Sequence, residues 1–435
     1  MRNLLAKEES KMAGHVRAGL EVAGNAVDVA ADGGEAIWLA EENFCAAHLL
    51  DVTMPRKDGF SVVRQWRRWL PLGLSLSLPQ FLRAENQVDY RYEYYDETGQ
   101  RMKIETHSVY FEQKLADAVI AKGELIYDGI SGATPNGLFN QLTGQIYMKE
   151  MWDLRRAANL ELDCRLGNHT LTPGFAWSSE HDYLSYGISL NDAIEFNDKN
   201  TILQLGASHN FDSVRHSDDQ SIWNSKDATE GIIGVSQLLS PKDVFNVAFT
   251  FGNDSGYLND PYRSIVYHPD IEPYGFNIYV PERRPAHRNK EILFTTLTHH
   301  FNSLDASLEG SYRFYHDSYD VFAHTVGLTW HQWLGKHLMV EPLFRFSQQS
   351  AASFYSTLFY GPYPISGNPD GYHSSDYRLS EMFTLDYGLQ ATVLINDHLR
   401  VTAGYHRYEM RGLDNTSDVM YPKANVYSVG LSFLW

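Results

Sequence analysis

The sequence predicts an all-β protein, an antiparallel transmembrane β-barrel of about sixteen strands (fourteen and eighteen satisfy the same pattern), behind a partial α/β N-terminal segment. Three observations predict it. From Glu85 onward, apolar and polar residues alternate with period two. Every second connection between the alternating segments is short, and several of the others are long. No apolar run reaches the roughly 18 residues of a membrane helix, yet 27 Tyr, 22 Phe and 9 Trp make the chain 13% aromatic.

At 435 residues the chain has room for two or three ordinary domains, or for one large β domain with a small companion. A net charge of −18 with no concentrated basic patch excludes nucleic acid as a partner, because a phosphate backbone is held by clustered Lys and Arg. The two cysteines, Cys45 and Cys164, fall in segments of different type, so no disulfide framework and no CxxC site is expected.

Residues 1 to 68 show helix-type periodicity around short apolar runs, "HVRAGLEVAG", "AVDVAA", "GGEAIWLAEEN" and "AAHLLDVTMPRKDG". With "FSVVRQWRR" after them, helix, strand, helix, buried strand, loop and helix in that order make the front half of a parallel α/β sheet. The stretch "HLLDVTMPRKDGF" resembles the receiver domain of bacterial response regulators, in particular the winged-helix class. The resemblance puts the phospho-accepting aspartate at Asp51. The family's magnesium-holding acidic pair falls on Lys7 and Glu8, so one acid is a lysine here. A cation supplies charge but not metal geometry. The pattern stops near Arg68, before the switch threonine, the conserved lysine and the last two strands. A truncated, non-functional receiver-like segment is the expectation, and a phosphorelay regulator the third functional reading.

Residues 64 to 84, "RQWRRWLPLGLSLSLPQFLRA", place Arg64, Arg67 and Arg68 before a mostly apolar stretch that ends at Ala84. Basic region, short apolar region and small residue are the layout of a secretory signal peptide. Translation from Met54 would bring it near the N-terminus.

The barrel follows over residues 85 to 435. "QVDYRYEYYDE" sets Val88, Tyr90, Tyr92 and Tyr94 on one face and Asp89, Arg91 and Glu93 on the other. Turning the charged face toward hydrocarbon would cost roughly 2 to 4 kcal/mol for a basic residue near the midplane, so the aromatic face is expected outward. "KDVFNVAFTFG" repeats the pattern with Phe245, Val247, Phe249 and Phe251 outward, and "FTLDYGLQATVLI" with Leu385, Tyr387, Leu389, Ala391 and Val393. Lumen-facing charges are expected at Asp89, Arg91, Glu93, Lys103, Glu105, Lys122, Glu124 and Asp386.

Every second connection is short ("KLADA", "GNH", "NDKN", "LSPKD", "NSLD", "GK", "IND"), whereas 129 to 154, 212 to 227, 253 to 289, 350 to 379 and 411 to 424 are long. A β-sandwich has no reason to sort loops by parity, and long unstructured loops are rare in compact domains. In an outer-membrane barrel the short turns are periplasmic. The stretches "VDYRYEYYDETGQRMKIETHSVYFEQKLADAVIAKGELIYDGISGATPNG" and "AGYHRYEMRGLDNTSDVMYPKANVYSVGLSFLW" resemble the bacterial domain-of-unknown-function family 3570, whose members look like outer-membrane barrels. That resemblance implies a fold and a location, and no activity.

Candidate chemistry is sparse. "GISGA" at Gly129 to Ala133 imitates a nucleophile elbow but opens a long loop rather than a strand-to-helix turn. Several of the 18 histidines stand beside acids, in "SHNFDSVRHSDD", "VYHPDIE", "FYHDSYD" and "GYHSSDY", without metal-ligand spacing, so the metal content stays unknown. No cofactor is expected. The closing strand "NVYSVGLSFLW" ends on an aromatic, and Tyr427, Leu431, Phe433 and Trp435 are expected to be read by barrel-assembly machinery. The function expected is passive passage or binding of a small solute or ion across the outer membrane, with outer-membrane lipid as surroundings. A barrel enzyme acting on lipid or peptide is the alternative, and it requires a His clustered with Ser or Asp on the wall.

Overall fold

The computed structural model describes residues 86–435 apart from 100, 140–144, 216–220, 261, 269–277 and 361–370, and before them three short strands. Those strands, β1 (Arg2–Ala6), β2 (Ala26–Ala30) and β3 (Ala47–Leu50), pair in parallel in the order β2-β1-β3. Lys7, Glu8, Asp51 and the signal-like segment 64–84 lie outside the described residues.

The remaining chain closes into one antiparallel barrel of sixteen strands. In chain order they are β4 (Gln87–Glu97), β5 (Lys103–Ala116), β6 (Val119–Phe139), β7 (Ile146–Leu166), β8 (His169–Ser179), β9 (Tyr183–Phe196), β10 (Thr201–Arg215), β11 (Trp223–Ser240) and β12 (Asp243–Gly256). After β13 (Ser264–His268) and β14 (Ile278–Pro281), which stand outside the barrel, come β15 (His287–Phe301), β16 (Ala306–Asp317), β17 (Phe322–Leu334) and β18 (Leu338–Gln349). Then follow β19 (Phe359–Tyr360), also outside, β20 (Met382–Asn396), β21 (Leu399–Gly412) and β22 (Lys423–Leu434). Each barrel strand pairs with its sequence neighbour in the ring, and β22 closes on β4 with Tyr427 opposite Tyr94 and Leu431 opposite Tyr90. Asn86 and Trp435 complete the seam by exchanging backbone hydrogen bonds of 3.0 Å.

Alternation decides what each face meets. On β12, Asn246, Ala248 and Thr250 are buried toward the lumen while Phe249 and Phe251 are exposed outside. Every barrel strand adds at least one large exposed apolar residue to this outer belt, among them Val109, Leu125, Leu160, Phe175, Ile188, Leu205, Ile233, Leu297, Leu328, Phe344, Leu389 and Val429. Such a surface suits hydrocarbon rather than water, and a closed sheet leaves no unpaired backbone edge there. No helix among the described residues is long and apolar enough to cross a membrane.

Three sequence expectations change, the first being the long connection 212–227, which shortens because β10 and β11 run on to pair Asp212 with Lys226 and Arg215 with Trp223. The stretch 129–154 is no loop: β6 and β7 run on as a long hairpin, pairing Ser131 with Trp152 and Thr134 with Lys149. "GISGA" therefore lies inside an antiparallel strand, where no nucleophile elbow forms. Lys103 and Glu105 face outward, not into the lumen, because register sets them opposite Asp96 and Tyr94, on the face that carries Tyr92. They belong to the end of β5 nearest the long loops, past the apolar belt, where an outward charge reaches water or headgroups.

Replacing Ile188, 54% exposed in mid-strand of the belt, by Arg should lower barrel stability by roughly 2 to 4 kcal/mol. Urea unfolding in lipid vesicles measures this, and an unchanged midpoint would mean that the belt does not sit in hydrocarbon.

Candidate functional site

The lumen has two unlike walls. From β7 to β10 many of the inward positions are small: Ala157, Gly174, Ala176, Ser178, Ser185, Gly187, Ser189 and Ser208 follow one another across the register. On the opposite wall the inward positions hold Arg313, Tyr315, Arg345 and Tyr408, with Tyr95 on the neighbouring β4. Along the small-residue wall lies a cavity of about 530 Å³, lined by the small residues together with Tyr110, Asn159, Asn210 and Tyr183. At Gly187 a Cβ would stand 2.5 Å from Asn210 Oδ1, so a larger residue there would push the Asn210 amide aside.

Charged groups mark both ends of this groove. Toward the short turns, Lys122 pairs with Asp163, which also accepts from Thr172 Oγ1 at 2.8 Å, and Tyr110 donates to Glu112 at 2.9 Å. Glu124 and Glu161 line the same region. Toward the long loops, Arg155 reaches Asp128 at 3.2 Å and Ser178 Oγ at 3.1 Å, and stands 3.8 Å from Glu180. Asp153, Glu180 and Asp182 gather beside it, their carboxylate oxygens within 4.8 Å of one another. Oxygen ligands of this kind suit a hard cation, but these oxygens are engaged. Asp153 Oδ1 accepts from the backbone N–H of Leu154 at 2.6 Å and of His181 at 3.1 Å, and Asp182 accepts from Tyr262. Burial and the neighbouring Asp153 push the Glu180 carboxyl up to about 7.

A cap of packed loops covers the long-loop mouth. β13 pairs with β14 and β19, and Ile265, Val266 and Tyr267 are fully buried beneath them. The loop that carries β13 leaves from β12, six strands round the ring from β6, yet Arg263 donates to Thr134 Oγ1 of β6 at 3.4 Å. Ser375 Oγ in turn bridges Gly137 O at 3.3 Å and Ser264 O at 2.9 Å. Gly137 has φ +90°, and a Cβ there would stand 2.6 Å from Ser264 O, so the cap rests directly on β6 backbone. Contacts between strands so far apart require the cap to span the mouth.

Asp376 holds the cap together. Its carboxylate, 1% exposed, binds Arg284 at 2.7 Å and Arg378 Nε at 2.9 and 3.0 Å, with Arg263 at 3.8 Å. Although burial opposes the charge, the three guanidinium groups outweigh it and hold this carboxyl far below the usual range. Glu282 balances the group by accepting from Ser374 at 2.6 Å and pairing with Arg284 at 2.8 Å, and burial pushes its own carboxyl up. A second cluster, Tyr377, Met382, Met410, Met420, Tyr421 and Ile146, packs the β18–β20 and β21–β22 loops against the β6–β7 hairpin.

Register turns Asp89, Arg91, Glu93, Lys122, Glu124 and Asp386 inward, with Arg91 paired to Glu93 and Asp386 3.2 Å from His406. Only Lys122 and Glu124 of these border the groove. Tyr427, Leu431, Phe433 and Trp435 lie exposed on the outer face of the closing strand. Among the described residues the histidine-rich stretches do not converge. His209 bonds Thr229, His316 bonds Glu291 and His373 bonds the carbonyls of Gly371 and Pro281, which leaves its imidazole buried and its pKa lowered. Within "GYHSSDY" the consequential residue is Asp376. Sequence reading missed Arg155, Glu180 and the small wall, whose one signal is the run of Ala, Gly and Ser at inward parity.

The family described as "Protein of unknown function (DUF3570)" matches residues 74–152 and 147–433, leaving the receiver-like segment outside the match. No curated protein matches the chain. Among solved structures it is similar to a bacterial polysaccharide outer membrane secretin, at 11% identity over 81% of this chain and 98% of that one, TM-score 0.45. It is also similar to OmpT of Vibrio cholerae lacking loop L8, at 8% identity over 81% and 98%, TM-score 0.42. A further similarity is to CdiB from Acinetobacter baumannii, at 9% identity over 81% of this chain and 60% of that one, TM-score 0.46.

Asp376→Ala strands three guanidinium groups and should cost the cap about 3 to 5 kcal/mol. Limited proteolysis within 257–286 should then run at barrel temperatures that leave the parent uncut; equal resistance would dismiss Asp376 as the tie. A second outcome concerns pH. The folded-state pKa of Glu180 is raised, so the folded form holds its proton between the ordinary carboxyl range and about 7. Local stability is therefore greatest in acid and falls as pH rises through that window. Hydrogen exchange at the Glu180 amide, bonded to Tyr183 O, should accelerate over that range beyond its intrinsic dependence, and Glu180→Gln should flatten the profile.

Proposed function

The chain belongs to the DUF3570 family of proteins of unknown function, and from that premise we propose that it is a bacterial outer-membrane barrel that passes or binds a small solute, without catalysis. The closed sheet, the outer apolar belt and the polar lumen support this membrane location. On that reading the short turns are periplasmic, the cap faces outward from the cell, and the closing strand carries the residues that barrel-assembly machinery reads.

One observation carries the solute reading: the cavity of about 530 Å³ kept free along the small-residue wall. A barrel needing only to be stable would fill that wall as it fills the other, because packed side chains contribute dispersion contacts that a void forfeits. Sixteen strands enclose a lumen wide enough for such a conduit. The cap makes passage intermittent, since the tie through Asp376 must loosen for the mouth to clear.

The full-length barrel, folded into planar bilayers, should give small and intermittent conductance steps. Asp376→Ala should lengthen the open periods. Silence from both proteins would overturn passage and leave a binding role.

A further inference from the structure

Resting on the reading of the groove as a solute path, we propose that its ligand is a small hydrophilic monovalent cation, either a hydrated metal ion or a primary ammonium group. The two cationic side chains on the groove wall are already matched, Lys122 by Asp163 and Arg155 by Asp128. The Lys122 side chain is only 3% exposed, so an anion would have to displace its partner in a buried position. Beyond those pairs the wall adds Glu124, Glu161 and Glu180. Setting aside Glu180, whose carboxyl holds its proton toward neutral pH, four carboxylates against two cations give the groove a net negative field, which raises the local concentration of positive solutes.

A second observation points the same way. Glu112 stands directly across from Lys122 at the lower end, and Asp212 directly across from Ser185 near the upper end. Both are more than nine-tenths buried, just behind the lining residues; one oxygen of each is held, Glu112 by the Tyr110 hydroxyl and Asp212 by Lys226 at 3.4 Å, while Glu112 Oε1 and Asp212 Oδ1 receive no hydrogen bond from the protein. A buried carboxylate oxygen without a donor costs on the order of 1 to 3 kcal/mol or more, so natural proteins complete it with water or an ion. An ammonium N–H or the water shell of a cation supplies what is missing, whereas an anion supplies no donor. Between the ends, Ser178, Ser185, Ser189, Asn159 and Asn210 offer hydroxyl and amide oxygens that turn toward a cation. The small wall leaves room for one that keeps its hydration.

The test is the reversal potential of the full-length barrel in planar bilayers under a KCl gradient, repeated with methylammonium chloride. Cation selectivity is expected in both salts, and preference for one of them identifies which source of positive charge the groove favours. The double variant Glu124→Gln/Glu161→Gln should reduce the cation-to-anion permeability ratio about threefold or more. Asp212→Asn is a separate arm, with heat-modified gel migration confirming that each variant folds. Equal permeability or anion preference would overturn the inference while passage stands. Should the barrel not conduct, calorimetric titration of the detergent-solubilised protein with methylammonium still decides: heat that the double variant loses supports the site, and no heat from the parent overturns it.

Discussion

Closure of the sheet is the constraint on which everything else rests. β22 pairs with β4 along its whole length, and Asn86 and Trp435 bond reciprocally at the seam. Once no edge is left, every backbone group of the wall is satisfied within the wall, and alternation sorts side chains into an outer and an inner set. The apolar belt, the charged lumen and the division into a short-turn end and a long-loop end all follow from that closure. A one-residue slip in any strand would exchange its two sets at once.

Within the closed wall, the distribution of side-chain size decides where space remains. Between β15 and β4 the inner face carries the large side chains Arg313, Tyr315, Arg345, Tyr408 and Tyr95, and buried pairs such as His331 with Glu341 at 2.8 Å add to it. The quarter from β7 to β10 presents many Ala, Gly and Ser residues instead. The cavity of about 530 Å³ lies along that wall. The cap obeys a different economy, with one buried carboxylate serving three guanidinium groups from two separate loops. Such a tie is stable while complete and fails as a unit, because each member depends on the others for compensation of its charge.

Much of this was legible before any coordinates. The sixteen segments, their alternation and the parity of their connections were all present in the order of residues. The inward side of Asp89, Arg91 and Glu93 followed from the cost of charge in hydrocarbon. Legibility ended where that cost vanishes. Lys103 and Glu105 lie past the apolar belt, so polarity no longer dictates direction and only register reveals that they point out. The stretch 129–154 read as a loop because its Gly, Pro and Asn suggest turns, whereas pairing between β6 and β7 carries the hairpin beyond the wall. The role of Asp376 was illegible for another reason: its partners Arg263 and Arg284 are 113 and 92 residues away in sequence, and no local pattern links them.

By itself, then, the sequence determined the class of wall, the two sides of each strand and which end bears the elaborate loops, because period-two patterning is a local property that any chain segment carries with it. The tertiary structure alone decided which lumen wall stays empty, which carboxylates meet there and how the loops cross the mouth. Those are properties of residues brought together by ring closure, and the distance between β6 and β12 in the closed sheet is written in no single stretch of the chain.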